Sequence, residues 1–148
     1  MKRVSQAAPD DTLDGVSRVL MFVYGLLAIS AGVRAIFQVA TKWGQAPLAY
    51  TLSTAAALIY GIACVGFGRR SPLAWKVTLG VCSFELLGVL AVGVLTLVEP
   101  AWFPDATVWS DFGAGYGFAP LILPIAGLAW LTRPRTRAMY GLPVAGGQ

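Results

Sequence analysis

The sequence predicts an all-α membrane protein: a single domain over residues 1–148, built as a four-transmembrane-helix bundle with both termini on the cytoplasmic side. Three observations carry that expectation. The composition is too apolar for water, the apolar positions gather into four long segments, and the basic residues fall almost entirely on one side of those segments. Hydrophobic residues make up 57% of the chain and charged residues only 12%, about half the charged share of an ordinary soluble domain. A soluble fold of 148 residues cannot bury that much apolar side chain, so the implied solvent is lipid.

The elements follow in order. Residues 1–14 are polar, with Lys2 and Arg3 before Asp10, Asp11 and Asp14, and read as a short disordered tail. The first apolar segment runs from about Val16 to Ala40, and Arg18 and Arg34 bracket its uncharged centre; their long stems reach the two interfaces. A cleavable signal peptide is the competing reading, but the leading stretch is long and acidic for one and Val33-Arg34-Ala35 is a poor cleavage site. The second segment, Pro47 to Phe67, carries no charge and is long enough to span; Pro47 suits a first helical position, where a missing N–H costs nothing. Gly68-Arg69-Arg70-Ser71-Pro72 is a tight basic turn. The third segment, Leu73 to Val98, is interrupted by Lys76 and Glu85 and ends at Glu99-Pro100. A polar and aromatic stretch leads to the fourth segment, Gly115 to Leu131, expected to be kinked by Pro120 and Pro124 after a glycine hinge at Gly115 and Gly117. Residues 132–148 form a basic tail rich in Pro and Gly.

Charge counting orients this arrangement. Lys2, Arg3, Arg18, Arg69, Arg70, Lys76, Arg133, Arg135 and Arg137 share one side, leaving only Arg34 and Lys42 of the 11 basic residues on the other. The positive-inside rule then places both termini in the cytoplasm and requires an even number of crossings, and abundant Ala, Gly, Leu and Val with Arg preferred over Lys point to a bacterial plasma membrane. Trp43, Trp102 and Trp109 fall at the expected outer interface and Trp75 and Trp130 at the inner one, as an aromatic belt would have it. Ala28 with Gly32, and Ala57 with Gly61, have the small-xxx-small spacing that lets helices approach closely.

Much chemistry is excluded by what is missing. The chain has no His, so His-based nucleophilic triads, haem ligation and His-containing zinc sites are out of reach. Cys64 and Cys82 lie at depths differing by roughly 8 Å along successive segments and read as packing residues rather than a disulfide. No metal or cofactor is expected. The net charge of +4 is spread over segment ends rather than along a stripe, so nucleic acid is not an expected partner.

Two features remain that can carry function. Glu85 lies roughly 18 Å into the third segment at ~1.5 Å per residue, near the bilayer midplane. A bare carboxylate there costs several kcal/mol, so the group must be paired, wet or protonated. Arg34 and Lys76 lie nearer the two faces; the carbonyl of Tyr116, freed by Pro120, is a candidate acceptor for its proton. Glu85 therefore reads either as a hydrogen-bonded clasp within the bundle or as a proton or cation site. The second feature is the outer loop, where Trp102, Phe103, Asp105, Trp109 and Asp111 mix interfacial aromatics with acids and are candidates for partner or lipid contact. Within Gly115-Tyr116-Gly117 the Gly-Tyr-Gly triplet is similar to the end of a potassium-channel filter, but Gly113 and Ala114 replace the Thr and Val that filter requires.

Four short spans and a membrane carboxylate resemble the small multidrug resistance transporters. Their essential glutamate sits in the first helix, and no carboxylate lies between Val16 and Ala40 here. Phe103-Pro104-Asp105-Ala106-Thr107-Val108-Trp109-Ser110, with Gly115-Tyr116-Gly117 through Leu131 and the start Ala46-Pro47-Leu48-Ala49-Tyr50, resembles the last loop and helix, and the second helix, of a family of small actinobacterial proteins known only as integral membrane proteins. That resemblance implies location and architecture, not activity. The expectation is a non-enzymatic protein that joins a larger membrane or cell-envelope complex or a homo-oligomer. The alternative is a small oligomeric transporter working through Glu85.

Overall fold

The computed structural model describes residues 11–144, and the elements among them are α1 (Asp11–Lys42), α2 (Pro47–Gly68), α3 (Pro72–Val98), α4 (Ala119–Leu131) and α5 (Pro134–Met139), with 3-10 turns at Pro100–Trp102 and Ser110–Tyr116. All regular structure in this range is helical. Three helices are long and apolar enough to cross a membrane, or four if the Ser110–Tyr116 turn and α4, a pair bent at its break, are counted as one span.

The expected second and third segments match α2 and α3 to within a residue or so. Pro47 opens α2 as anticipated, and α3 opens with Pro72 behind Ser71, whose side-chain oxygen accepts from the Ala74 N–H at 3.1 Å. Such a cap satisfies one of the donors that a helix start leaves unpaired. The beginning of the chain differs from expectation. Residues 11–14 are helical rather than part of a tail, because Asp14 stands in the first turn, where the helix dipole favours an acid. The remainder of that tail, including Lys2, Arg3 and Asp10, lies outside the described residues.

The fourth segment departs furthest. Helix α4 has 13 residues, about 20 Å of rise against a hydrocarbon core of about 30 Å. The preceding turn meets it at 97°. The bend falls at Gly117 and Phe118, between the turn and α4, so of the two expected hinge glycines Gly117 stands at it and Gly115 does not. Asp111, Phe112 and Gly113 have φ of 48°, 59° and 81°, and Gly117 and Phe118 have φ of 63° and 61°, whereas Gly115 is not among the left-handed residues. Pro120 sits in the first turn of α4 and ends no helix; only Pro124 lies inside one. Gly93 makes room for this turn, since a Cβ there would collide with the Phe112 ring.

The main apolar core runs along the bundle, with a smaller cluster of Ala46, Ala49 and Tyr50 at the start of α2. On α1 the buried positions Leu13, Ser17, Leu20, Tyr24, Leu27 and Ala31 repeat every three or four residues, and on α3 Ala74, Thr78, Cys82, Glu85, Val89 and Val92 do the same, the spacing of one helix face. Helices α1 and α2 share the most extensive contact, and alanines on both, Ala31 and Ala35 on α1 and Ala56 and Ala63 on α2, are buried. Rings continue the core toward one end: Tyr24 stacks on Phe67 at 5.4 Å, Phe67 meets Trp130 at 5.9 Å, and Trp130 meets Tyr140 at 6.2 Å. Trp130 is therefore inside the bundle rather than in an interfacial belt. Trp43 and Trp102 are half exposed.

The expected C-terminal tail is ordered through α5 and docks on the α2–α3 turn. The Tyr140 hydroxyl donates to the Gly66 carbonyl at 3.0 Å, and the Trp75 indole donates to the Leu131 carbonyl at 2.9 Å. Arg70 joins the same end: it pairs with Asp14 at 3.2 Å, donates to Ser17 and to the Phe67 carbonyl, and lies 5.4 Å over the Tyr140 ring. The start of α1 and the end of the described chain thus meet at the basic α2–α3 turn. Residues 145–148 lie outside the described residues.

Candidate functional site: a buried polar cluster around Glu85

Glu85 occupies the buried stripe of α3 and has no solvent exposure. Its partner is neither a freed carbonyl near Pro120 nor a cation. The Tyr24 hydroxyl, on α1, donates to Glu85 Oε2 at 2.7 Å and lies 3.7 Å from the Cys82 sulfur one turn away. The other carboxyl oxygen, Oε1, has no hydrogen-bond partner among the described residues. Tyr24 and Glu85 each lie about 20 Å from the start of their helices at ~1.5 Å per residue, and both helices start at the basic end. Parallel helices bring positions of equal depth together, so the pairing was available from the two buried stripes. It was missed because Tyr24 reads as one more apolar position in a hydrophobic run.

A second pair closes the cluster. The Trp109 indole donates to the Tyr60 hydroxyl at 3.0 Å, and the Tyr60 ring lies 6.1 Å from that of Tyr24. Trp109 belongs to the loop expected at the membrane surface, yet it is only 2% exposed. A Cβ on Gly88, one turn beyond Glu85, would come within 2.8 Å of the Trp109 ring, so the missing side chain is what admits the indole. Side chains hold the loop in this shape. Ser110 Oγ accepts from the Thr107 N–H at 2.9 Å, and Thr107 Oγ1 accepts from the Trp109 N–H at 3.0 Å. These local bonds replace those that a helix would make.

The remaining loop candidates separate. Asp105 accepts from the Tyr50 hydroxyl of α2 at 2.8 Å, and Arg34 of α1 donates to the Ala106 carbonyl at 3.0 Å, so half-buried Asp105 ties the loop to α2 while Arg34 ties it to α1. Phe103 is half-buried against the core. Trp102 and Asp111 remain exposed, and the Asp111 N–H donates to the Thr96 hydroxyl. The five residues do not form one surface.

Among the described residues no group of three side chains could hold a metal ion, and both cysteines are free. The distinct surface features are two apolar grooves flanking α2. One, about 420 Å³, lies between α1 and α2 over Gly32, Ala35, Ala57 and Leu58. The other, about 550 Å³, lies between α2 and α3 and is lined by Ala57, Gly61 and Ala74, with Arg69 and Ser71 at its end. Gly32, Ala57 and Gly61 therefore line open grooves rather than the tightest helix seam. Glu85 lines neither groove. No protein-family model, no curated protein and no solved structure matches this chain, so the functional reading rests on its own geometry.

Proposed function

We propose that this chain is a small non-enzymatic component of a bacterial plasma-membrane assembly, built as a four-pass, N-in and C-in bundle that offers the groove between α1 and α2 to a transmembrane helix of a larger complex. The meeting of α1 and α5 at the basic α2–α3 turn supports an even number of crossings, with the bent Ser110–Leu131 segment as the fourth, and the charge bias supports the cytoplasmic orientation. The single observation that carries the functional reading is the small-residue groove between α1 and α2. Small residues at a lipid-facing surface let a neighbouring backbone approach, and helix association in membranes is driven by that packing. The polar groups most suited to chemistry face inward instead, and Glu85 serves as a clasp between α1 and α3.

The test is gentle extraction from the native membrane, capture through a C-terminal tag and mass analysis of what is retained. Stoichiometric recovery of other membrane subunits is expected, and their loss from Gly32→Leu. A Cβ at Gly32 meets open space, so this variant fills the groove without disturbing the fold. Recovery of the chain alone, or an unchanged complex with Gly32→Leu, would sink the proposal.

A second reading, a small oligomeric transporter, is favoured by one observation, the partnerless and fully buried Oε1 of Glu85. Glu85→Gln separates the two. A proton-coupled transporter loses activity, whereas a clasp keeps a hydrogen-bonding side chain and its assembly.

A further inference from the structure

The groove between α2 and α3 differs from its neighbour in having a charged end. Gly61 and Ala74 leave space between the helices, while the exposed side chains of Leu58 and Leu73 line it. Its volume of about 550 Å³ lies within the ~300–1,000 Å³ of ligand-sized pockets. At one end stand Arg69 and Ser71, at the start of the 27-residue α3. The two arginines of the turn have different fates. Arg70 is consumed by Asp14, Ser17 and the Phe67 carbonyl, whereas the Arg69 side chain makes no hydrogen bond or ion pair among the described residues. The first backbone N–H groups of α3 lie at the same place, where the C-terminal end of α2 carries the opposite dipole, so the guanidinium supplies the positive charge. An apolar trench along two helices, closed by an uncommitted guanidinium at the basic end of the bundle, is complementary to an acyl chain carrying an anionic headgroup.

We propose that this groove binds an anionic phospholipid, with the phosphate held by Arg69 beside the N-terminus of α3 and an acyl chain laid between α2 and α3. The site rests on the membrane placement argued above but not on any partner protein, so a failed capture experiment leaves it standing.

The experiment uses the purified full chain in mild detergent. Phosphatidylglycerol or phosphatidylcholine of identical chains is added, and retained lipid is counted by mass spectrometry of the intact protein. Phosphatidylglycerol should be retained roughly five-fold over phosphatidylcholine, the preference that one basic side chain near a membrane surface confers. Arg69→Gln, on an exposed turn, should abolish the preference while leaving the weaker, headgroup-blind binding. Gly61→Leu should remove both, and a Cβ there meets open space, so circular dichroism should show an intact fold. Equal retention of the two lipids, or phosphatidylglycerol binding that survives both substitutions, would overturn the site. So would displacement of the lipid by inorganic phosphate alone, which would leave the groove no part in binding. A doubled mass lost on Gly61→Leu would assign the groove to a second copy of the chain and equally overturn it.

Discussion

Removing the Tyr24 hydroxyl is the sharpest perturbation of the buried cluster, because Tyr24→Phe keeps the ring stacked on Phe67 and deletes only the donor to Glu85. The bond is 2.7 Å long, at the mode for O–H···O contacts. Two estimates of its worth compete. Hydrogen bonds to charged groups contribute about 1.5–3 kcal/mol in proteins generally, but interhelical bonds in membranes average about 0.6 and reach about 1.7 kcal/mol, because the separated helices find other partners. Here Glu85 Oε1 already lacks a partner and the Tyr24 hydroxyl has only a distant sulfur besides, so neither group has a substitute. The higher end of the membrane range follows, a coupling of about 1–2 kcal/mol. The assay is a double-mutant cycle of wild type, Tyr24→Phe, Glu85→Leu and the double variant, unfolded by denaturant in micelles. Each single variant leaves a buried polar group stranded, while the double variant leaves none, so it should be less destabilised than the two singles together. Additivity to within about 0.3–0.5 kcal/mol, the range of independent sites, would refute the clasp.

Two further outcomes test the packing. Gly66→Ala places a Cβ against the Thr78 hydroxyl, which is held by its bond to the Ala74 carbonyl. The expected loss is about 1–3 kcal/mol of stability, as for an overpacked core, and Thr78→Ala should recover most of it in the same unfolding assay. Burial holds the Tyr140 phenol above its ordinary value, so its neutral form is favoured in the fold. The resulting stabilisation is complete below about pH 10 and declines as pH rises through the folded value. The thermal-stability gap between wild type and Tyr140→Phe, about 1 kcal/mol for the bond to Gly66, should therefore be constant below about pH 10 and close above it. A gap that persists at higher pH would show that the hydroxyl is not what anchors α5.

What could be read from the residues alone followed from composition and periodicity. Helices long and apolar enough to cross a membrane, the bounds of α2 and α3, and an acid within the third of them were legible because charge and proline act within a few positions. The fourth segment was not. The turn that leads into it holds three successive left-handed residues that Gly93 accommodates from another helix, and nothing local marks Asp111 or Phe112 for that conformation. The inward path of Trp109 depended likewise on the absent side chain of Gly88, and the docking of α5 on ring and cation contacts from both ends of the described chain. Hydropathy distinguishes water from lipid but not lipid from protein, since an aromatic side chain is at home in either. Only packing between distant segments decided that Tyr24 and Trp109 turn inward, and so gave Glu85 its partner.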